Sequence, residues 1–189
     1  MPFFFKFLDF DVTSNFCLLI GLRLCQAIFL TSNMAHPDEY WQVTQVAYRF
    51  VYGDPKNGYD VDLPWEYHDD YRLRNTIYPL FHVGPMMMLK TFGLDTNFAI
   101  RVCPYVVHSF FVLIGDSYLW RVGKSTVGKT ATQIAFIFYL TNRVQNSIIV
   151  RCFTNGVEEI LSIVAFSYYQ RVDNKLSLNT MIFTGLVSL

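Results

Sequence analysis

The stretch that decides the fold is 33–53, which reads NMAHPDEYWQVTQVAYRFVYG. It follows directly on an apolar run, and its first part carries His36, Asp38 and Glu39. Adjacent carboxylates at the end of an apolar segment lose hydration, so their position needs a specific reason. We predict that these residues form the chemical centre of the protein and that the apolar segments around them hold it in place.

An amphipathic helix is predicted across most of this stretch. Pro37 suits the first turn of a helix, and the carboxylates that follow it favour the positive end of the helix dipole. Apolar side chains then recur at three- and four-residue steps, at Tyr40, Val43, Val46, Ala47 and Phe50. Gly53 predicts the end of the helix.

The composition indicates an integral membrane protein. The chain has 189 residues, of which 52% are hydrophobic and 17% aromatic, and its charges are clustered. A net charge of zero argues against a nucleic-acid-binding surface, which would be basic. The four cysteines lie in or beside apolar runs without the spacing of metal ligands, which predicts buried free thiols.

The apolar runs predict an all-α fold, a polytopic transmembrane helical bundle that forms a single domain over 1–189. The first span is predicted at 16–31 and is uncleaved, and Arg23 within it must face protein or reach the interface. Further spans are predicted at 98–120, 130–150 and 153–170, with the start of another at 178–189. The final run is shorter than the ~20 residues that a span needs, so we expect the chain to be truncated at its C-terminus.

The basic residues predict the orientation of these spans. Three groups flank the apolar runs: Lys6, the loop 121–129, and Arg171 with Lys175. They fall on one side of the membrane if the apolar run 77–93 lies in the interface instead of crossing, and the positive-inside rule prefers this arrangement. Residues 32–97 then form one luminal loop with two interfacial helices, which places both carboxylates outside the cytoplasm and beside the lipid.

A phosphate-binding loop is an alternative interpretation of 123–130. This segment reads GKSTVGKT and matches G-x-x-x-x-G-K-T, which needs a strand before it and a helix after it. The apolar run before it is too long and too even for one strand, so we disfavour a P-loop nucleotide binder. A metal site is also disfavoured, because the candidate ligands lack a spacing that would bring them together: His36, Asp38, Glu39, His68, Asp69 and Asp70.

Several motifs, in order, resemble the N-terminal part of the GPI mannosyltransferases, which are GT-C enzymes with many membrane spans. They are HPDEYWQ at 36–42, PWEY at 64–67, RNTIYP at 74–79 and RCFTNGVE at 151–158, with Arg23, Leu24 and Ala27 matching in the first span. The seven residues of HPDEYWQ together are specific for this family. The later motifs are weak individually, but they occur in the same order as in the family. The chain departs from the family pattern at Pro64, Tyr67, Asn75 and Cys152, and family members are much longer.

The resemblance implies an inverting transfer of mannose from dolichyl phosphate mannose to the GPI-precursor glycan. It places the protein in the endoplasmic reticulum membrane as a multi-pass enzyme with its active site facing the lumen. It favours the third, α-1,2-linked mannose over its alternatives, which are the fourth GPI mannose, an N-glycan α-1,2-mannose and a non-catalytic truncated fragment. The expected partners are the lipid-linked donor and the GPI glycolipid acceptor, with no cofactor and no nucleic acid. No metal-binding residue is assigned, and the resemblance leaves the metal requirement open.

The resemblance also implies roles for individual residues. A carboxylate acts as general base on the acceptor hydroxyl, with Asp38 as the first candidate and Glu39 as the second. Adjacent helical residues point about 100° apart, so one of them is expected to face the sugar. The residues expected to bind substrate are His36, Trp41, Gln42, Trp65, Glu66, Arg72, Arg74 and Arg151. Trp41 could stack on sugar or line the lipid boundary. The arginines could meet the leaving phosphate; alternatively, Arg72 and Arg74 lie in a membrane-interface belt and Arg151 caps a luminal turn.

Overall fold

The computed structural model describes residues 11–12, 14–29, 37–53, 63–68, 70–71 and 73–169. Every regular element within these residues is helical, which agrees with the all-α prediction. The elements are α1 (Phe16–Phe29), α2 (Pro37–Glu39), a π-helical turn (Tyr40–Thr44), α3 (Gln45–Tyr52), a 3₁₀ turn (Trp65–Tyr67), α4 (Ile77–Thr91), α5 (Asn97–Thr126), α6 (Lys129–Thr141), α7 (Arg143–Ile149) and α8 (Thr154–Tyr169).

Membrane-spanning length is reached by one helix in the described part of the chain. This helix is α5, which has 30 residues and an apolar composition. The helix α1, which was predicted as the first span, is apolar but has 14 residues. The described helices therefore support a span at α5, and the other spans stay predictions.

The segment predicted as one span at 130–150 consists of two helices, α6 and α7. Between them Asn142 has φ −68° and ψ 106°, which is extended backbone. Its side-chain oxygen accepts a hydrogen bond of 3.1 Å from the backbone N–H of Gln145. An asparagine in this position satisfies a donor that the first turn would leave unpaired, so it favours a new helix start. The preference of asparagine for the N-cap position could have predicted this break, but the apolar pattern of 130–150 favoured one continuous helix.

The described chain packs as two compact units, each with its own core. The first unit comprises the described residues within Met1–Gln26, Ser109–Val150 and Asn155–Leu189. The second unit comprises those within Ala27–His108 and Arg151–Thr154.

The first unit combines apolar clusters with a buried polar network. One apolar cluster contains Val12, Leu19, Leu113, Trp120 and Phe136. A second contains Val112, Ile149, Val150 and Ile160. In the network, the Arg23 guanidinium donates to Asp116 through two nitrogens, and Nη1 donates to Gln26 Oε1 at 2.8 Å and Asn146 Oδ1 at 2.6 Å. Arg23 has no exposed surface, so of the two predicted alternatives it adopts the one in which it faces protein.

The glycines of the GKSTVGKT segment have structural reasons to be there. Gly123 lies in the last turns of α5, where a Cβ atom would meet Thr132 Cγ2 at 2.6 Å. Gly128 has φ +84° in the short connection to α6, a conformation that glycine adopts without strain. A helix precedes the segment where a P-loop needs a strand, so the described structure does not support the nucleotide-binding alternative.

The second unit contains the helix predicted from the opening stretch. It begins at Pro37 and ends at Tyr52, with Gly53 in extended backbone, as predicted. One apolar cluster contains Ala27, Val43, Tyr105 and Cys152, with the partly buried Tyr78 packed against it. A second contains Ala47, Val51 and Met86, with the partly buried Tyr52, Val83 and Cys103 packed against it. Lys90 Nζ in α4 donates to the Val51 carbonyl at 2.7 Å and so satisfies an acceptor at the end of α3.

Candidate functional site

Asp38 and Glu39 are neighbours in α2 with opposite environments. The Asp38 side chain is exposed, whereas Glu39 retains 1% of its accessible surface. The rotation of about 100° between successive helical residues explains how one acid faces out while the next faces the core. A buried carboxylate is stable only with charged or hydrogen-bonding partners, so the surroundings of Glu39 define the site.

Both oxygens of Glu39 have partners from elsewhere in the second unit. The Tyr105 hydroxyl in α5 donates to Oε2 at 3.0 Å, and Arg151 Nη1 donates to Oε1 at 3.2 Å. The Arg151 side chain is itself only 11% exposed. We call Glu39, Tyr105 and Arg151 the Glu39 clamp. A paired, doubly hydrogen-bonded carboxylate of this kind is stabilised in its charged form.

The helix changes its winding immediately after the two acids. In the turn Tyr40–Thr44 the backbone follows a π-helix, and the Gln45 N–H donates to the Tyr40 carbonyl five residues earlier. Single π turns inside α-helices are rare and occur frequently at functional sites. Trp41 in this turn is exposed and meets the Tyr40 ring edge-to-face, with ring centroids 5.4 Å apart. The apolar periodicity of the sequence gave no sign of this change.

The loop around the 3₁₀ turn is attached to the same helix. The Tyr67 hydroxyl donates to the Gln42 backbone carbonyl at 2.8 Å, and Arg74 Nε donates to Glu66 Oε2 at 2.6 Å. Burial raises the pKa of Tyr67, with Arg74 acting in the opposite direction, so the phenol stays protonated at neutral pH. Trp65 is exposed and its ring lies edge-to-face with Tyr71.

The second unit thus holds the described members of the predicted site: Asp38, Glu39, Trp41, Gln42, Trp65, Glu66, Arg74 and Arg151. His36 and Arg72 lie outside the described residues. Arg74 and Arg151 each donate to a carboxylate, so a role for them at the leaving phosphate stays a prediction. Among the described side chains, no group of three His, Cys, Asp or Glu is placed to hold a metal ion.

Sequence reasoning missed four polar residues that lie in this unit. Besides Tyr105, these are Tyr78, whose hydroxyl is 2.7 Å from His108 Nδ1, and His82, whose ring centroid is 4.9 Å from that of Tyr78. His82 is fully buried, neither ring nitrogen has a partner among the described residues, and burial lowers its pKa to about 4. Tyr105 and His108 are three residues apart in an apolar run, which places them on one helix face. Polar residues with this spacing in a predicted span are a signal for an inward-facing polar face.

An exposed acid beside a buried, ion-paired one is an arrangement that acid–base catalysis can use. The sequence matches the Alg9-like mannosyltransferase family over residues 14–189, and the chain therefore belongs to this family. This confirms the resemblance inferred from the motifs.

Within this family, the chain is similar to several proteins named as GPI mannosyltransferases. GPI mannosyltransferase 3 of Yarrowia lipolytica is 30% identical over 174 residues, which cover 90% of this chain and 32% of the relative. GPI alpha-1,2-mannosyltransferase 3 of Bos taurus is 30% identical over 171 residues, covering 90% and 30%, and that of Homo sapiens is 28% identical over 170 residues, covering 90% and 29%. The chain spans about a third of the length of these curated relatives. No solved structure matches it.

Proposed function

We propose that this chain carries the acceptor-activating acid of an inverting mannosyltransferase. The donor is dolichyl phosphate mannose and the acceptor is the glycan of the GPI precursor. The observation that carries the proposal is the environment of Asp38, an exposed carboxylate in the first turn of a helix beside a clamped Glu39. Membership of a mannosyltransferase family supplies the reaction class.

The chemistry needs one accessible carboxylate on the acceptor side. Asp38 accepts the proton of the attacking acceptor hydroxyl. At the same time the oxygen of that hydroxyl forms a bond to the anomeric carbon of mannose. The bond from that carbon to the phosphate oxygen breaks, and its electron pair leaves with dolichyl phosphate. The transition state resembles an oxocarbenium ion, so a nearby negative charge also stabilises it. Glu39 is less suited to this role, because its side chain is buried and out of reach of the acceptor.

Aromatic side chains beside Asp38 suit a sugar ligand. Trp41 is exposed three residues after Asp38 on the same helix, and Trp65 is exposed in the loop that Tyr67 attaches to that helix. Aromatic rings bind the apolar faces of sugars while their surroundings stay hydrated. We assign these rings to the acceptor glycan or the donor mannose.

The exposed surface of the second unit supports the proposed placement at a membrane. The helix α4 exposes a row of apolar side chains at helical spacing: Ile77, Leu80, Phe81, Met87 and Met88. Such a row in a helix of 15 residues is too short to span but suits the membrane interface. With α5 as a span and the basic 121–129 connection in the cytoplasm, Asp38 lies on the luminal side of the endoplasmic reticulum membrane.

The names of the relatives favour one of the candidate linkages. Two of them are named as GPI alpha-1,2-mannosyltransferase 3, which matches the third, α-1,2-linked mannose. We therefore assign that linkage to this chain in preference to the fourth GPI mannose or an N-glycan mannose.

A donor-exchange assay tests the proposed function. Microsomes from cells that lack their own GPI mannosyltransferase 3 would receive this chain, radiolabelled dolichyl phosphate mannose and a GPI precursor with two mannoses. We expect one labelled mannose to be added, and mass spectrometry should show a precursor with three. Labelling from GDP-mannose when dolichyl phosphate mannose synthesis is blocked, or no gain of mannose, would contradict the proposal.

A further inference from the structure

We infer that the Glu39 clamp is a positioning device for Asp38, and that Tyr105 is a positioning residue of the reaction. This inference rests on the proposed function, since Asp38 is the base that the clamp would position. Tyr105 comes from an apolar helix in which no functional residue was predicted.

Glu39 lies in the first turn of the helix that begins at Pro37 and continues through the π turn into α3. Helix ends fray unless other groups hold them. The two oxygens of Glu39 are held by groups 66 and 112 residues away in the sequence. The hydrogen bonds therefore attach this first turn to α5 and to the connection before α8. Fixing Glu39 also fixes the direction of its neighbour Asp38, because the two share one turn of backbone.

The clamp adjoins a buried apolar cluster. Tyr105 belongs to the same apolar cluster as Val43 and Cys152, all of which are buried. Val43 lies in the π turn that follows Glu39, and Cys152 follows Arg151. The clamp thus closes the edge of an apolar cluster, and breaking it should expose that cluster to water. Cys152 is a natural reporter of this opening.

Separating Glu39 from Arg151 would be costly. The Arg151 guanidinium is largely buried and would lose its counter-charge if Glu39 moved away. Losing the counter-charge of a buried ion is strongly destabilising, so Glu39 is tied to its place. The two adjacent acids therefore have separate roles, one in chemistry and one in placement.

The reactivity of Cys152 tests whether the clamp holds this turn in place. Cys17, Cys25 and Cys103 would be replaced by alanine, and N-ethylmaleimide would modify the remaining thiol in detergent. Burial raises the pKa of the Cys152 thiol, so slow modification is expected in the parent. Glu39→Gln should accelerate modification about tenfold or more, and Arg151→Lys should largely preserve the slow rate. Glu66→Gln, which removes the carboxylate of a different arginine pair, is the matched control and should have no effect.

Transfer kinetics test whether the clamp acts through Asp38. Tyr105→Phe removes one hydroxyl and keeps the ring, and we expect kcat to fall about tenfold with little change in KM, as for a misplaced catalytic group. In an Asp38→Asn background the same change should cause no further loss, because the positioned group is already disabled. Tyr71→Phe, at an exposed tyrosine, is the control and should leave kcat unchanged.

The outcomes separate this inference from the proposed function. A normal rate for Tyr105→Phe, next to an inactive Asp38→Asn, would overturn the inference alone. A further loss of kcat when Tyr105→Phe is added to Asp38→Asn would also overturn the inference. So would an unchanged rate of Cys152 modification in Glu39→Gln. A normal rate for Asp38→Asn would instead overturn the proposed function.

Discussion

Arg23 and Asp116, 93 residues apart in the sequence, form a two-point ion pair in which neither side chain is exposed. The distances are 2.7 Å from Nε to Oδ2 and 2.9 Å from Nη2 to Oδ1. Tyr139 donates to Asp116 Oδ1 at 2.8 Å, and its ring lies 5.3 Å from the guanidinium carbon. With Asn146, the network links α1, α5, α6 and α7 within the first unit. Every charge in it is compensated by a specific neighbour.

Removing one partner of this pair should destabilise the protein strongly. Asp116→Asn leaves the Arg23 charge buried without a counter-charge, and we expect the free energy of unfolding to fall by about 3–5 kcal/mol. Unfolding by SDS titration in detergent micelles would measure it.

Two further variants make the result specific. Arg23→Met with Asp116→Leu removes both charges and should cost less than the single change. Asp11→Asn alters the weaker pair with Lys124, at 3.9 Å and partly exposed, and should cost about 1 kcal/mol or less. Equal stability of Asp116→Asn and the parent would show that the network does not support the fold.

Tyr67 should anchor the loop that follows α3. Tyr67→Phe removes the hydrogen bond to the Gln42 carbonyl, which we expect to weaken the attachment by about 1 kcal/mol and expose the loop. Limited proteolysis of the solubilised protein would then cut near 63–74 several times faster. Tyr71→Phe, whose side chain is exposed, serves as the control. Equal cleavage rates for both variants would argue against the anchor.

Lys129 should be dispensable for the reaction. It begins α6 after Gly128, and no strand precedes it in the described residues, so the structure gives it no role in phosphate binding. Lys129→Ala should therefore keep the rate of mannose transfer within about twofold, measured in microsomes. A large loss, with normal protein levels, would revive the P-loop alternative.

The predicted orientation can be tested with inserted glycosylation sites. A site near Asp62 should be modified and a site near Ser125 should not, because only luminal sequons meet the glycosylation machinery. The gel shift on digestion with endoglycosidase H would report each. The reverse pattern would place the acids in the cytoplasm and exclude the proposed reaction at Asp38.

The sequence was sufficient for features set by local physics. Pro37 and Gly53 marked the ends of a helix, and the high cost of an unpaired Arg23 in an apolar run required that it either face protein or reach the interface. It could not identify Asp116 as that partner, or Arg151 and Tyr105 as the partners of Glu39, because such pairings depend on how distant helices pack. The break at Asn142 and the π turn after Glu39 were missed because apolar periodicity does not distinguish a continuous helix from a locally rewound one.

The rate of mannose transfer by Asp38→Asn, compared with Asp70→Asn, is the most direct test of the central claim. Both acids are exposed and the substitution is the same, but only Asp38 follows the clamped turn of α2. A general base contributes about 10²–10⁴ in rate, so Asp38→Asn should lower kcat at least about 100-fold while Asp70→Asn stays near the parent rate. Transfer by Asp38→Asn within about twofold of the parent, at equal protein level, would contradict the account.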